Sequence, residues 1–116
     1  MEESGYAAWP QLAPMEFLMS DLTGKQKRQL RALAHSLKPV VQMGQKGATD
    51  ALKSKVNQEL EVHELIKVKV SGDCLETAKE AGALLAEACR AALVQVIGRT
   101  VVLYRGHPEE PQIQLS

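Results

Sequence analysis

A chain of 116 residues holds one small domain with one hydrophobic core and is too short for two. Aromatic residues make up only 3%, which leaves aliphatic side chains to build that core, and no apolar run approaches the ~18 residues of a membrane-spanning helix. The formal net charge of zero hides an asymmetry: residues 1–21 carry Glu2, Glu3, Glu16 and Asp21 and no Lys or Arg, while residues 22–106 hold all 14 basic residues against 8 acidic ones, the electrostatic footprint of a nucleic-acid binder.

Residues 1–21 have no sustained period and contain Pro10 and Pro14, so they read as an acidic, flexible leader, without the basic region and apolar core of a signal peptide. A first helix is expected over residues 23–37, because Thr23 and Gln26 have capping-box spacing and Leu30, Leu33, Ala34 and Leu37 form an apolar stripe. Lys25, Lys27, Arg28 and Arg31 crowd its first two turns, where the helix dipole prefers acids. An external anion would offset that cost; a solvated helix face is the plainer alternative. His35, near the helix end, reads as a capping or packing residue.

Val40, Val41 and Met43 follow as a short buried strand, which runs into Gly44, Gln45, Lys46 and Gly47. Glycines let a ligand approach bare backbone, and Thr49 and Asp50 have the character of an N-cap and a first helical turn. A G-x-x-G loop holding Lys46 and feeding a helix N-terminus is a seat for a phosphodiester backbone, although two glycines three apart also occur in plain turns. The second helix is expected over residues 50–61, with Leu52, Val56 and Leu60 on one face.

The segment HELIKVKV then alternates Leu65, Lys67 and Lys69 with Ile66, Val68 and Val70, a strand with a core face and a basic face. Two such lysines make a phosphate rail, or guard a sheet edge against aggregation. His63 and Glu64 read as turn residues. Ser71, Gly72 and Asp73 form a turn, after which Asp73 and Glu76 are expected to cap a third helix reaching about residue 90, with Leu75, Ala78, Leu85 and Ala86 buried. Small residues such as Ala81, Gly82 and Ala83 should let it lie close on a sheet. Strands at 94–97 and 100–105 are joined by Gly98 and Arg99, a type II′ hairpin signal that puts Arg99 at an exposed tip. Residues 107–116 read as a tail in which IQL has the character of an edge strand. The order α-β-α-β-α-β-β predicts a compact α/β domain over 22–106, a mixed four-stranded sheet covered by helices.

Three segments, LTGKQKRQLRALAHSLKPVVQMGQKGAT, HELIKVKV and VQVIGRTVVLYRG, resemble in order and spacing the YhbY family, the bacterial stand-alone form of the CRM (chloroplast RNA splicing and ribosome maturation) domain. The resemblance implies a fold similar to the C-terminal domain of translation initiation factor three, RNA binding, and association with precursors of the large ribosomal subunit. It also implies that Gly44, Gln45, Lys46 and Gly47 form an RNA-contacting loop and that Tyr104 and Arg105 belong to a closing motif. The chain departs from the pattern in its leader and at ACRAALVQV, where relatives often have a glycine turn.

Scattered histidines and the lack of a Ser-His or Cys-His constellation leave nothing to activate a nucleophile, so no enzyme is expected. Cys74 and Cys89 form no CxxC and read as reduced structural thiols of a cytosolic protein, without metal or cofactor. The expected RNA surface comprises the GQKG loop, Lys25, Lys27, Arg28, Arg31, Lys67, Lys69, Arg99, Tyr104 and Arg105 on a monomer. The competing readings are a protein-interaction module and an RNA-binding factor acting outside ribosome assembly.

Overall fold

The computed structural model describes residues 22–107, 113 and 115, and the expected acidic leader lies outside them. Its elements follow the predicted order: α1 (Gly24–His35), β1 (Val41–Met43), α2 (Asp50–His63), β2 (Leu65–Val70), α3 (Ala78–Cys89), β3 (Ala92–Ile97) and β4 (Thr100–Tyr104). The strands form one sheet in the order β1-β2-β4-β3. β1 runs parallel to β2, and β4 is antiparallel to both β2 and β3. The final hairpin therefore folds inward, filling the gap between two strands of like direction.

Alternation of side chains along the strands decides which helix covers which face. Ile66, Val68 and Val70 of β2, Val41 and Met43 of β1, and Val101 and Leu103 of β4 meet Val56 and Leu60 of α2 and Leu85 and Ala86 of α3. On the opposite face Leu65, Val94 and Val102 meet Leu30 and Ala34 of α1. The domain thus has three layers, with two helices on one side of the sheet and one on the other. A Cβ on Gly82 would lie 2.8 Å from Leu93 Cδ1, so α3 sits as close on the sheet as its small residues predict.

Local signals acted largely as expected at the helix starts. Thr23 and Gln26 form a reciprocal capping box, and Thr49 accepts from the Leu52 amide. Gly98 takes a positive φ of 58° at the first hairpin position, as a type II′ turn requires. The cap of α3 is a correction: Thr77, paired with Glu80 in a capping box, starts the helix in place of Asp73 and Glu76. Asp73 is instead engaged by the Ser71 hydroxyl in the preceding turn. Leu75 consequently falls outside the helix and is 87% exposed, not buried. Leu33 and Leu37 of the first stripe are 44% and 37% exposed, because α1 covers the sheet with Leu30 and Ala34. At ACRAALVQV, Arg90 adopts the left-handed conformation that a glycine would take, and β3 begins two residues earlier than predicted, at Ala92.

Glu64 is a turn residue, as its sequence position predicts, with φ of 65° at the C-cap of α2. Its carboxylate is also buried, where one oxygen accepts the His107 amide and the other the Ile113 amide, both at 2.9 Å. Ile113 and Leu115 pack against the α1 side of the core. Glu64→Gln is expected to cost about 1–3 kcal/mol in a urea titration, because a carboxamide has one acceptor oxygen and must present its amino group to the other backbone donor. A midpoint unchanged within error would mean that the C-terminal segment adds nothing to stability.

Candidate functional site

The GQKG loop leaves the C-terminal end of β1 as a tight turn, in which the Gly47 amide donates to the Gly44 carbonyl at 3.0 Å and the Thr49 amide to the Gly47 carbonyl at 3.0 Å. Its two glycines have different surroundings. Gly44 has open space where a Cβ would stand, whereas Gly47 is buried with φ of 73° and its Cβ position is taken by the Glu76 carboxylate. Backbone can therefore be approached from the Gly44 side, where Gln45 and Lys46 are exposed. Among the described residues the amides of Gln45 and Lys46 have no acceptor.

Two further cations stand at the same end of the sheet. Lys69 is exposed on the α1 face beside Gln42, Thr100 and Ile97, which the strand register places in one row across all four strands beyond the part that α1 covers. Arg99, at the tip of the β3–β4 hairpin, lays its guanidinium over Gly72, 2.7 Å from where a Cβ would be. The loops are fastened to one another here, since the Ser71 amide donates to the Met43 carbonyl at 2.8 Å and the Val70 amide to the Arg99 carbonyl at 2.7 Å. Lys46, Lys69 and Arg99, distant in sequence, thus share the sheet end from which β1 and β2 deliver their loops.

The remaining predicted positions divide. Lys67 is half-buried and donates from Nζ to the Leu37 carbonyl at 3.0 Å, which ties it to the chain leaving α1. That contact holds the C-terminal side of α1 near β2, so the basic first turns of this 12-residue helix begin roughly 18 Å further along its axis. Of these side chains Lys25 and Arg28 are exposed and Lys27 and Arg31 half-buried. The single continuous patch expected from the sequence is accordingly resolved into a loop cluster and a helix cluster, with Lys67 engaged between them.

Arg105 is set apart altogether. Its side chain is only 5% exposed; Nη1 donates to Asn57 Oδ1 at 2.6 Å and to the Cys89 carbonyl at 2.7 Å, and Nη2 to the Asn57 carbonyl at 3.3 Å and Glu61 Oε2 at 3.1 Å. The residue expected on the RNA surface is an internal clamp joining β4 to α2 and the end of α3. Tyr104 points to the opposite face, half-buried beside the α1 layer, and burial, with the Glu64 charge adding to it, pushes its hydroxyl above the ordinary tyrosine range. Burial likewise raises the Cys89 thiol, Arg105 and Lys53 pulling the other way, so it stays a neutral thiol donating to the Lys53 carbonyl. Period-2 alternation carries a signal for Arg105: it shares parity with Val101 and Leu103 and therefore falls on the core face. No local pattern marks Glu76, whose approach to Gly47 joins segments about thirty residues apart in sequence.

Comparison with known proteins places this geometry in context. The profile of the CRS1/YhbY (CRM) domain matches residues 22–105. The chain is 45% identical over 94 residues to the Bacillus subtilis protein named probable RNA-binding protein YqeI, covering 81% of this chain and 98% of that one. It is 44% identical over 97 residues to a Haemophilus influenzae protein named RNA-binding protein, covering 84% and 97% respectively. The solution structure of SAV1595 from Staphylococcus aureus superposes with a TM-score of 0.71 at 44% identity, covering 82% of this chain and 99% of that one.

Proposed function

Because this chain belongs to the CRS1/YhbY (CRM) domain family, we propose that it is a non-catalytic RNA-binding protein acting, as a cytoplasmic monomer, on precursors of the large ribosomal subunit. The observation that carries the RNA reading is the grouping of exposed Lys46, Lys69 and Arg99 around an open glycine turn whose amides at Gln45 and Lys46 have no acceptor among the described residues. Cations and backbone donors suit phosphates, and they hold a strand without selecting its sequence. The basic first turns of α1 offer a second, separate cluster of cations for phosphates further along the RNA. No row of aromatic rings crosses the sheet, since Tyr104 is the one aromatic residue between 22 and 107, so backbone and shape dominate recognition.

The test is a salt titration of the full chain against a ribosomal RNA fragment. With about five phosphate contacts the log of affinity should fall with the log of salt at a slope of roughly −4, and Lys46→Ala should remove about one unit of it. A flat salt response would favour the protein-interaction reading instead, because apolar docking does not release counterions. Assignment to ribosome assembly is tested separately by cross-linking in cells: footprints outside the large-subunit RNA would place the protein elsewhere.

A further inference from the structure

An open cleft of about 360 Å³ lies beside the loop cluster, between the end of β2, the start of α3 and the tip of the β3–β4 hairpin. Its lining includes Val70, Ser71, Leu75, Glu76, Ala78 and Arg99. Three features set it apart from an ordinary surface hollow. Leu75 is 87% exposed, an apolar side chain left in water by the start of α3 at Ala78. The Arg99 guanidinium has no hydrogen bond or ion pair to any described residue, so its fork of donors is open. Glu76, which also lines the cleft, accepts only the Cys74 thiol, at 3.4 Å through Oε1, and among the described residues no ion pair joins it to Arg99.

We propose that this cleft takes one unstacked guanine base of the bound RNA. The inference rests on the RNA reading above and adds a base-reading element to a surface that otherwise holds backbone. The volume is at the small end of ligand pockets and suits a single nucleobase rather than a larger ligand. The apolar Leu75 side chain, left in water, offers a base one stacking surface, which leaves the Arg99 fork for the edge of that base. Glu76 Oε2, which the Cys74 thiol does not engage, can accept an N–H bond, and guanine is the RNA base that presents two adjacent donors, N1–H and the N2 amino group, on its Watson–Crick edge. Its O6 and N7 acceptors match the Arg99 fork, whereas adenine places a lone acceptor, N1, against the carboxylate. Lys46, on the neighbouring loop, is placed for the phosphate flanking that base.

The experiment uses the full chain and oligouridine of about eight nucleotides carrying one central guanosine, adenosine or inosine, the last lacking the N2 amino group. The guanosine strand is expected to bind about tenfold more tightly than the adenosine strand, with inosine between them. Glu76→Gln should abolish this preference while leaving the salt slope unchanged, and Leu75→Ser, at a position too exposed to affect folding, should weaken the guanosine strand selectively with an unchanged melting temperature. Equal affinity for all three strands, each with the steep salt slope, overturns the guanine site and leaves the RNA reading standing. Failure of every strand and of ribosomal RNA to bind overturns both.

Discussion

Arg105→Ala is expected to lower the stability of the domain by about 3 kcal/mol, a large fraction of the 5–15 kcal/mol that holds small proteins folded. The guanidinium joins Asn57 and Glu61 of α2 to the last carbonyl of α3, so its removal leaves acceptors without donors at the junction of three elements. The Cys89 carbonyl is the costly one because it faces the interior, and a buried acceptor without a donor costs about 1–3 kcal/mol by itself. Glu61 is 63% exposed and can be rehydrated, which keeps the total below that of a fully buried pair. For a domain of this size the melting temperature should fall by roughly 10–20 °C. Glu61→Ala should cost no more than about 1 kcal/mol, as for other exposed ion pairs. Arg105→Lys should not rescue, since a single ammonium cannot reach four acceptors held in a fork. An Arg105→Ala protein that melts like the parent and loses RNA affinity instead would return this residue to the interface.

The contrast between Arg105 and Lys46 marks what was legible in the sequence. Signals that act within a few residues are legible: in the Thr23–Gln26 box and the Thr49 cap a side chain bonds to its own turn, and Gly98 takes a positive φ because it has no Cβ. The spacing of Asp73 and Glu76 predicts one cap for α3, and Thr77 with Glu80 repeats that spacing four residues later. The second prevailed in a fold where Ser71 holds Asp73 and Glu76 packs against Gly47. The inward course of Arg105 follows from strand parity, whereas its charge and its place in the closing motif point to the surface. The position of β4 between β2 and β3 had no local signature, because it depends on which edge the last hairpin closes against. The same holds for Glu64, whose partners lie 43 and 49 residues away.

Gly44→Asp and Gly47→Asp are expected to fail in different ways, although a G-x-x-G motif treats the two glycines alike. At Gly44 nothing lies within 4 Å of a new Cβ and the backbone needs no positive φ, so stability should change by less than about 1 kcal/mol. RNA affinity should nevertheless drop severalfold, since an acid then stands beside Lys46 on the open side of the turn. At Gly47 any side chain must adopt φ near 73° and enter the space of the Glu76 carboxylate, and an aspartate adds like-charge repulsion. The combined cost should be about 2–4 kcal/mol, read by urea denaturation. Gly47→Ala separates the causes: combined with Glu76→Ala it should recover the steric part of its loss and keep only the backbone part, about 1 kcal/mol, as a non-additive pair. Additive losses would mean that Glu76 moves aside freely and that the left-handed turn alone requires glycine. Unchanged RNA affinity of a folded Gly44→Asp protein would remove the loop from the interface and leave recognition to Lys69, Arg99 and the basic turns of α1.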